Sequence, residues 1–263
     1  MSISFAVGRD RVRFAGKTDV GRVRSHNEDN VLIPDELPLG VVSDGMGGHA
    51  CGEVASQITV DVIGEFYKRT AEETARTWPF RAPSLELQKN RMTTAIKLAN
   101  SEIFDTAAAD AEKSGMGCTV EAIFFDQGRF YIGHVGDSRV YRIRNGTIQL
   151  MTEDHSLLND WKRMKDMSPE EIANFPHRNV VVRALGLAES VYVDVVVEEY
   201  QLEDIYLLCS DGLNDMLEDD EILAIVEKRK KRLDGACMAL IDAANAAGGK
   251  DNISVLMAHV LQG

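Results

Sequence analysis

The order of segments predicts an α+β fold, with mainly antiparallel sheets whose outer faces are covered by helices. Three observations carry this. Short apolar or alternating runs cluster in the early and middle chain, while runs with helical spacing cluster between and after them. The two kinds do not alternate regularly, as a parallel βαβ series would. Asn145-Gly146 separates two alternating runs and marks a two-residue hairpin, because both turn positions need positive φ.

The early strands are expected around Arg13–Thr18, Asn30–Pro34 and Leu39–Ser43, and a Gly-rich stretch, Asp44 to Gly52, follows them. A helix comes next, because Ala55, Ile58, Thr59, Val62, Ile63 and Phe66 recur at helical spacing. Two prolines break the pattern in Arg76–Pro83. A second helix spans Ser84–Ala109, with Leu85, Met92, Ile96, Ala99 and Ile103 in phase. Cys118–Phe125, Arg129–Val135, Arg139–Arg144 and Thr147–Met151 read as strands. Asp154–Arg178 is polar and irregular, with one short helix. Ser168 caps that helix, Pro169 fills its first position and Glu171 closes a capping box. Val191–Val197 and Ile205–Cys209 are expected strands. Helices over Asp219–Lys228 and Asp234–Ala247 precede a last strand, Asn252–Val260. No linker interrupts the series, so residues 1–263 are read as one domain.

Composition narrows the function. The 263 residues carry 29 Lys+Arg against 42 Asp+Glu, a net charge of −13, which speaks against nucleic-acid binding because phosphate backbones call for clustered bases. No apolar run approaches the ~18 residues of a membrane helix. The N-terminus lacks the apolar core of a signal peptide, so a cytoplasmic protein is expected. Cys51, Cys118, Cys209 and Cys237 form no C-x-x-C pair, which disfavours zinc sites and a disulfide scaffold. Cys118 and Cys209 read as small buried hydrophobes.

One local pattern recurs. Asp44, Asp137 and Asp211 each follow a strand-like run, and Asp251 precedes one. Singly, each is an ordinary turn residue. Gathered with Glu28-Asp29, they would repel one another by about 4 kcal/mol per close pair at an effective dielectric near 20. Hard divalent cations with oxygen ligands, Mg²⁺ or Mn²⁺ rather than zinc, would remove that penalty. Other motifs compete less well. Gly45-Met-Gly-Gly-His-Ala50 fits a dinucleotide fingerprint, but Asp44 would face the pyrophosphate and no βαβ series follows. Gly16-Lys17-Thr18 resembles the end of a P-loop, yet Arg11 stands where glycine is required. No Gly-x-Ser-x-Gly elbow occurs.

Eight blocks in order resemble the metal-dependent serine/threonine protein phosphatases, the PPM or protein phosphatase 2C family, in its bacterial single-domain form. They are Arg24-Ser-His-Asn-Glu-Asp29, Val42 to Glu53, Gly117-Cys-Thr-Val120, Val135-Gly-Asp-Ser-Arg139, Thr152-Glu-Asp-His-Ser156, Arg183-Ala-Leu-Gly186, Ser210-Asp-Gly-Leu213 and Asp251-Asn-Ile-Ser254. The resemblance implies an antiparallel β-sandwich flanked by helices on both faces, a four-layer αββα arrangement. It implies two Mg²⁺ or Mn²⁺ ions in a cleft at one end, with a third at a weaker site. Asp44 would bridge two ions, the Gly45 carbonyl would bind one, and Asp211 and Asp251 would complete the other. Asp137 would join Asp211 at the third. Glu28 and Asp29 would hold metal-bound waters or a metal, and Arg24 would clamp the substrate phosphate, which its planar fork suits.

The chemistry so implied is hydrolysis of phosphoserine and phosphothreonine in proteins by a metal-bridging hydroxide, without a covalent phosphoenzyme. The partners implied are phosphorylated proteins and an opposing Ser/Thr kinase, and the chain is expected to be a monomer. Two departures stand out. Met46 occupies the position where animal members often carry a histidine acid, and it cannot donate a proton; His49 nearby is read as structural. The flap at 157–178 is locally basic through Lys162, Arg163 and Lys165 beside Trp161, which suggests a solvated loop or a surface that recruits phosphoprotein. His134 and His155 are read as buried or capping, His26 as orienting its block, and Arg139 as paired to a local carboxylate. A catalytically dead family member and a nucleotide-binding enzyme built on Gly45–Ala50 are the rival readings.

Overall fold

Alternation along the strands builds two antiparallel sheets. The computed structural model describes residues 2–47, 51–71, 84–173, 175–176 and 180–263. The expectations for His49, for Arg76–Pro83 and for the side chain of Leu85 lie outside the described residues. Strands β1 (Ile3–Val7), β2 (Asp10–Asp19), β9 (Arg139–Arg144), β10 (Thr147–Leu150), β12 (Ile205–Cys209) and β13 (Ile253–Gln262) form a six-stranded sheet in the order β1-β2-β13-β12-β9-β10. Strands β3 (Asn30–Leu32), β4 (Leu39–Ser43), β7 (Val120–Asp126), β8 (Arg129–Val135) and β11 (Asp194–Glu199) form a five-stranded sheet in the order β11-β8-β7-β4-β3. A small third pairing joins β5 (Gly45–Met46) to β6 (Gly117–Cys118).

The sheets face each other through Phe14, Val42, Phe125, Phe130, Tyr206 and Leu256, all buried. The rings of Phe125 and Tyr206 meet edge to face at 5.5 Å, a favoured aromatic geometry. Each such side chain contributes about 1.5–3 kcal/mol by leaving water. Helices α1 (Gly52–Ala71) and α2 (Ser84–Ala109) cover the outer face of the five-stranded sheet. Helices α5 (Asp211–Asn214), α6 (Asp219–Arg229) and α7 (Leu233–Ala246) cover the other. The layers are therefore helix, sheet, sheet, helix, and the α+β expectation stands.

Local chemistry explains most elements. Asn145 and Gly146 take φ of 52° and 73°, and the register Arg144↔Thr147 closes the expected hairpin. At α4 (Pro169–Ala173), the Glu171 amide donates to Ser168 Oγ at 3.2 Å and the Ser168 amide to Glu171 Oε2 at 2.8 Å, the expected capping box. The buried stripe of α1 is centred on Ala55, Thr59, Val60, Ile63 and Tyr67, with Ile58, Val62 and Phe66 only half-buried against it.

Several elements differ from expectation, among them the short helix α5 and the β5–β6 pairing, and three are instructive. β1 was not anticipated, because it is only five residues long and lies at the sheet edge, paired on one side with β2. The segment 157–178 holds two helices rather than one: α3 (Leu157–Met164) precedes α4. Leu157, Leu158, Trp161 and Met164 recur in α3 at helical spacing, but none is fully buried. Ser156 starts it by accepting from the Asn159 amide. β11 begins at Asp194 rather than Val191, leaving Tyr192 exposed.

Candidate active site

Sheet register brings the four strand-end aspartates to one end of the sandwich. In one sheet Cys209 pairs with both Arg139 and Val255, so Asp211, Asp137 and Asp251 emerge side by side. In the other, Val120 pairs with Val135 and Val42 with Glu121, which sets Asp44 beside the Asp137 turn. A cavity of about 370 Å³ is lined by Arg24, Glu28, Asp44, Gly45, Asp137, Asp211 and Asp251, together with Met46, Thr119 and Val181. Asp29 lies behind this wall, 4% exposed, against Asp44. A second cavity of about 490 Å³ shares Asp137 and Asp211 and extends toward Asp154, Lys162 and Asp215.

Backbone ties hold each acid in place. The Asp44 amide donates to Thr119 Oγ1 at 3.0 Å, the Thr119 amide to the Asp44 carbonyl at 2.9 Å, and Thr119 Oγ1 meets Ser138 Oγ at 2.8 Å. A Cβ on Gly45 would run into the Gly52 and Glu28 carbonyls, so only glycine fits this crossing. Asn252 fastens the loop before Glu28: its Nδ2 donates to the carbonyls of Val20 and His26, and its Oδ1 accepts from the Glu28 amide at 2.8 Å. Ser210 Oγ donates to Asp29 Oδ2 at 2.8 Å and accepts from the Ser254 amide at 2.9 Å. Arg24, with its side chain 49% exposed, donates to Asp251 Oδ2 at 2.7 Å.

The Asp137 turn has its own support. The Gly136 amide donates to His155 Nδ1 at 3.0 Å, and the His155 amide donates to the Gly136 carbonyl at 2.7 Å. His155 Nε2 meets Asp194 Oδ2 at 2.6 Å, and its ring stacks on His134 at 4.3 Å. Burial, and then the neighbouring His134, push the His155 imidazole down to about 4, so it is neutral and Nδ1 is free to accept. His134 pairs with buried Glu121 at 2.5 Å. Both histidines are therefore buried, as expected, and Arg139 pairs with Asp154 at 2.7 Å, as expected. His26 approaches Glu53 at 3.6 Å. Thr119, Ser138, Ser210 and Asn252 were not singled out from the sequence, although each lies inside a recognisable block. Val181 gave no signal at all.

The electrostatics are those of a concentrated acid cluster. Burial, then the charges of Asp29, Asp211, Asp137 and Asp251, push the Asp44 carboxyl well above its ordinary value. Burial and the neighbouring aspartates push Asp211 up to about 8. Burial first, then Asp154, pushes Asp137 up to about 6; burial also raises Asp29 to about 6. The Arg24 guanidinium is held more firmly protonated by Asp251. The acids are spread around the cavity rather than closed into a cage. Among the described residues no three His, Cys, Asp or Glu side chains stand close enough to hold an ion on their own, and like charges without a cation repel. Asp211 Oδ1 and Asp29 Oδ1 are buried with no hydrogen-bond partner, an arrangement that fits oxygen donors awaiting a hard cation.

Two further features of the sequence can be placed here. Gly45-Met46 pairs with Gly117-Cys118, and the preceding strand Leu39–Ser43 sits in an antiparallel sheet rather than the parallel βαβ unit of a dinucleotide site, in line with the sequence, which already disfavours that rival. The flap's bases are largely engaged: Arg163 pairs with Glu153 at 2.9 Å and Lys165 with Glu171 at 2.7 Å, while Lys162 reaches Asn159 at 3.3 Å.

Comparison with known proteins agrees with this geometry. The family profile described as Protein phosphatase 2C matches residues 22–240. The "Serine/threonine phosphatase stp" of Listeria innocua is 39% identical over 248 residues, covering 92% of this chain and 93% of the relative. The crystal structure of the Mycobacterium tuberculosis serine/threonine phosphatase PstP/Ppp superposes with a TM-score of 0.82 at 32% identity, covering 96% of this chain and 99% of that one. A structure of the PstP catalytic domain in complex with two manganese ions superposes at 0.80 with 31% identity, covering 95% of this chain and 98% of that one. Shared sequence along nearly the whole chain and a shared sandwich lead to one conclusion: the chain belongs to the protein phosphatase 2C family, whose members are serine/threonine protein phosphatases.

Proposed function

We propose that the protein hydrolyses phosphoserine and phosphothreonine in phosphorylated proteins, using two Mg²⁺ or Mn²⁺ ions and offering Asp137 and Asp211 to a third. The carrying observation is the unpartnered Asp211 Oδ1, buried among carboxyls that cannot all ionise without a cation. Asp44, the Gly45 carbonyl, Asp211 and Asp251 would hold the two ions, with Glu28 and Asp29 in support. When bound, the ions supply neutralising charge and activate water toward phosphorus.

The chain's own residues do the rest. Arg24 stands at the cavity mouth on an exposed stem, so its fork can leave Asp251 for phosphate oxygens and stabilise charge that builds on them. The Glu28 backbone is held in place by its amide bond to Asn252 Oδ1, which keeps this acid at the cavity wall. Met46 lines the same cavity and cannot donate a proton, so it cannot serve as the acid for the leaving oxygen. The structure carries no pocket-lining thiol or serine poised for attack among these residues, in keeping with direct hydrolysis.

The same reading makes the protein an antagonist of Ser/Thr kinase signalling. We read residues 1–263 as one domain that acts as a monomer, with 157–178 as a flap beside the cleft. Its four buried cysteine thiols suit a reducing cytoplasm. No helix among the described residues is long and apolar enough to cross a membrane. The test is hydrolysis of a phosphothreonine peptide with Mn²⁺, with EDTA, and by Asp211→Asn in Mn²⁺. Activity that needs metal and collapses in the variant is expected. Metal binding without hydrolysis of any phosphopeptide would overturn the reading in favour of a non-catalytic binding module.

A further inference from the structure

A short extended segment beside the cavity has an edge with no partner among the described residues. Val181 lies opposite Ser156 as an antiparallel pair. Two backbone hydrogen bonds flank it: the Leu157 amide donates to the Val180 carbonyl, and the Val182 amide to the His155 carbonyl, each at 2.9 Å. In an antiparallel ladder this makes Ser156 and Val181 a non-hydrogen-bonded pair. The N–H and C=O of Val181 therefore point away from Ser156, toward the opposite edge. Among the described residues they meet no backbone partner. Val181 also lines the cavity that holds Arg24, Asp44 and Asp211. Its neighbours Val180 and Val182 present side chains 43% and 44% exposed.

This ledge is fixed relative to the chemistry. His155, its partner strand, is bonded in both directions to Gly136, the residue before Asp137. An unpaired edge of this kind is a template for another extended chain, which it holds by main-chain hydrogen bonds. We propose that Val181 is the docking rung for the substrate backbone: an extended segment of the phosphoprotein pairs with it through one N–H and one C=O, delivering the phosphoresidue to Arg24. The inference rests on the phosphatase reading and names how that site grips its substrate. The grip is on main chain, so it tolerates many sequences. It also requires the phosphosite to lie in a loop or tail free to extend, because a phosphorylated helix has no backbone groups to offer.

The test is a backbone-ester scan of a phosphothreonine peptide with the unaltered protein and Mn²⁺. Each ester deletes one N–H without adding bulk. One ester close to the phosphothreonine is expected to lower kcat/KM about ten-fold, the worth of one hydrogen bond with its partner left unsatisfied, while esters on either side of it leave kcat/KM unchanged. In parallel, the Val181 amide proton is expected to gain protection from hydrogen exchange when a non-hydrolysable phosphonate peptide binds. A flat scan on a hydrolysed peptide, or an unprotected Val181 amide, overturns this inference alone. No hydrolysis of the all-amide peptide overturns the phosphatase reading and this inference with it.

Discussion

The interior of the sandwich and the cleft at its end are made by the same strands under opposite rules. Leu208 and Phe125 sit deep between the sheets in a cluster of apolar and aromatic side chains, where leaving water favours folding. A few residues further along the same sheets, Asp44, Asp137 and Asp211 are also taken out of water, and there burial opposes the charged form. The strands that stabilise the molecule thus end in a cluster that destabilises it until counter-charge arrives. The support around the cluster reflects this. Thr119, Ser138, Ser210, Asn252 and His155 fix backbone and acid positions that repulsion would otherwise scatter.

The largest expected effect comes from breaking the cleft side of this contrast. Asp211→Asn keeps the shape and removes one ionisable group. Phosphopeptide hydrolysis is expected to fall by about 10³-fold, comparable to losing a principal electrostatic stabiliser of the transition state. The metal-free variant should unfold at a higher temperature than the metal-free parent at pH 8, because a carboxyl held up to about 8 is gone. Steady-state kinetics and a thermal melt in EDTA check both.

Breaking the interior side should act on stability alone. Phe125→Ala removes a ring that packs edge to face on Phe14 and Tyr206. It is expected to cost about 3–5 kcal/mol in urea unfolding. Manganese affinity of the remaining folded protein should be unchanged. A comparable loss of affinity would mean that the two regions are not separable.

A pH series sharpens the comparison further. Asp211 titrates at 3.8 in an ordinary setting and at about 8 here, so the folded state binds the proton more tightly than the unfolded chain does. Stability from these raised acids is fully present below about 4 and is lost as pH rises toward 8. The melting temperature of EDTA-treated protein should therefore fall by several degrees between pH 5 and 8, and saturating Mn²⁺ should abolish the fall. A metal-free melting temperature that rises over this range would contradict the picture of a strained acid cluster.

The smallest expected effect concerns Arg24. Its pair with Asp251 is half exposed, so Arg24→Ala should change stability by less than about 1 kcal/mol. The same variant should lower phosphopeptide kcat/KM by roughly ten- to hundred-fold, the worth of a charge-assisted hydrogen bond to phosphate. A stability loss as large as that of Phe125→Ala would place Arg24 on the wrong side of the contrast.

What could be read from the chain follows the same division. Strands that are short apolar runs, such as Arg129–Val135 and Ile205–Cys209, and the Asn145-Gly146 turn were legible because local composition and turn chemistry agree with the fold. α3 was missed although Leu157, Leu158, Trp161 and Met164 recur at helical spacing after the Ser156 cap, because the polar residues between them read as an irregular loop. β1 was not, since a short edge strand exists only through its neighbour. The flap's basic sequence was visible, but its pairing with Glu153 and Glu171 was not, because ion pairs form between side chains whose separation in space the sequence does not state.

The sequence alone determined the layers' raw material, the α+β class and the identities of the acids, because periodicity and residue chemistry are local properties. It could mark Asp44, Asp137, Asp211 and Asp251 as strand-end carboxylates. Only the tertiary structure decided that they meet, because the register Cys209↔Arg139 and Cys209↔Val255, and the packing of one sheet on the other, are made by contacts far apart in the chain. Among the described residues it alone also left the Val181 backbone without a partner beside them, since an unpaired backbone group has no signature in the identity of its side chain.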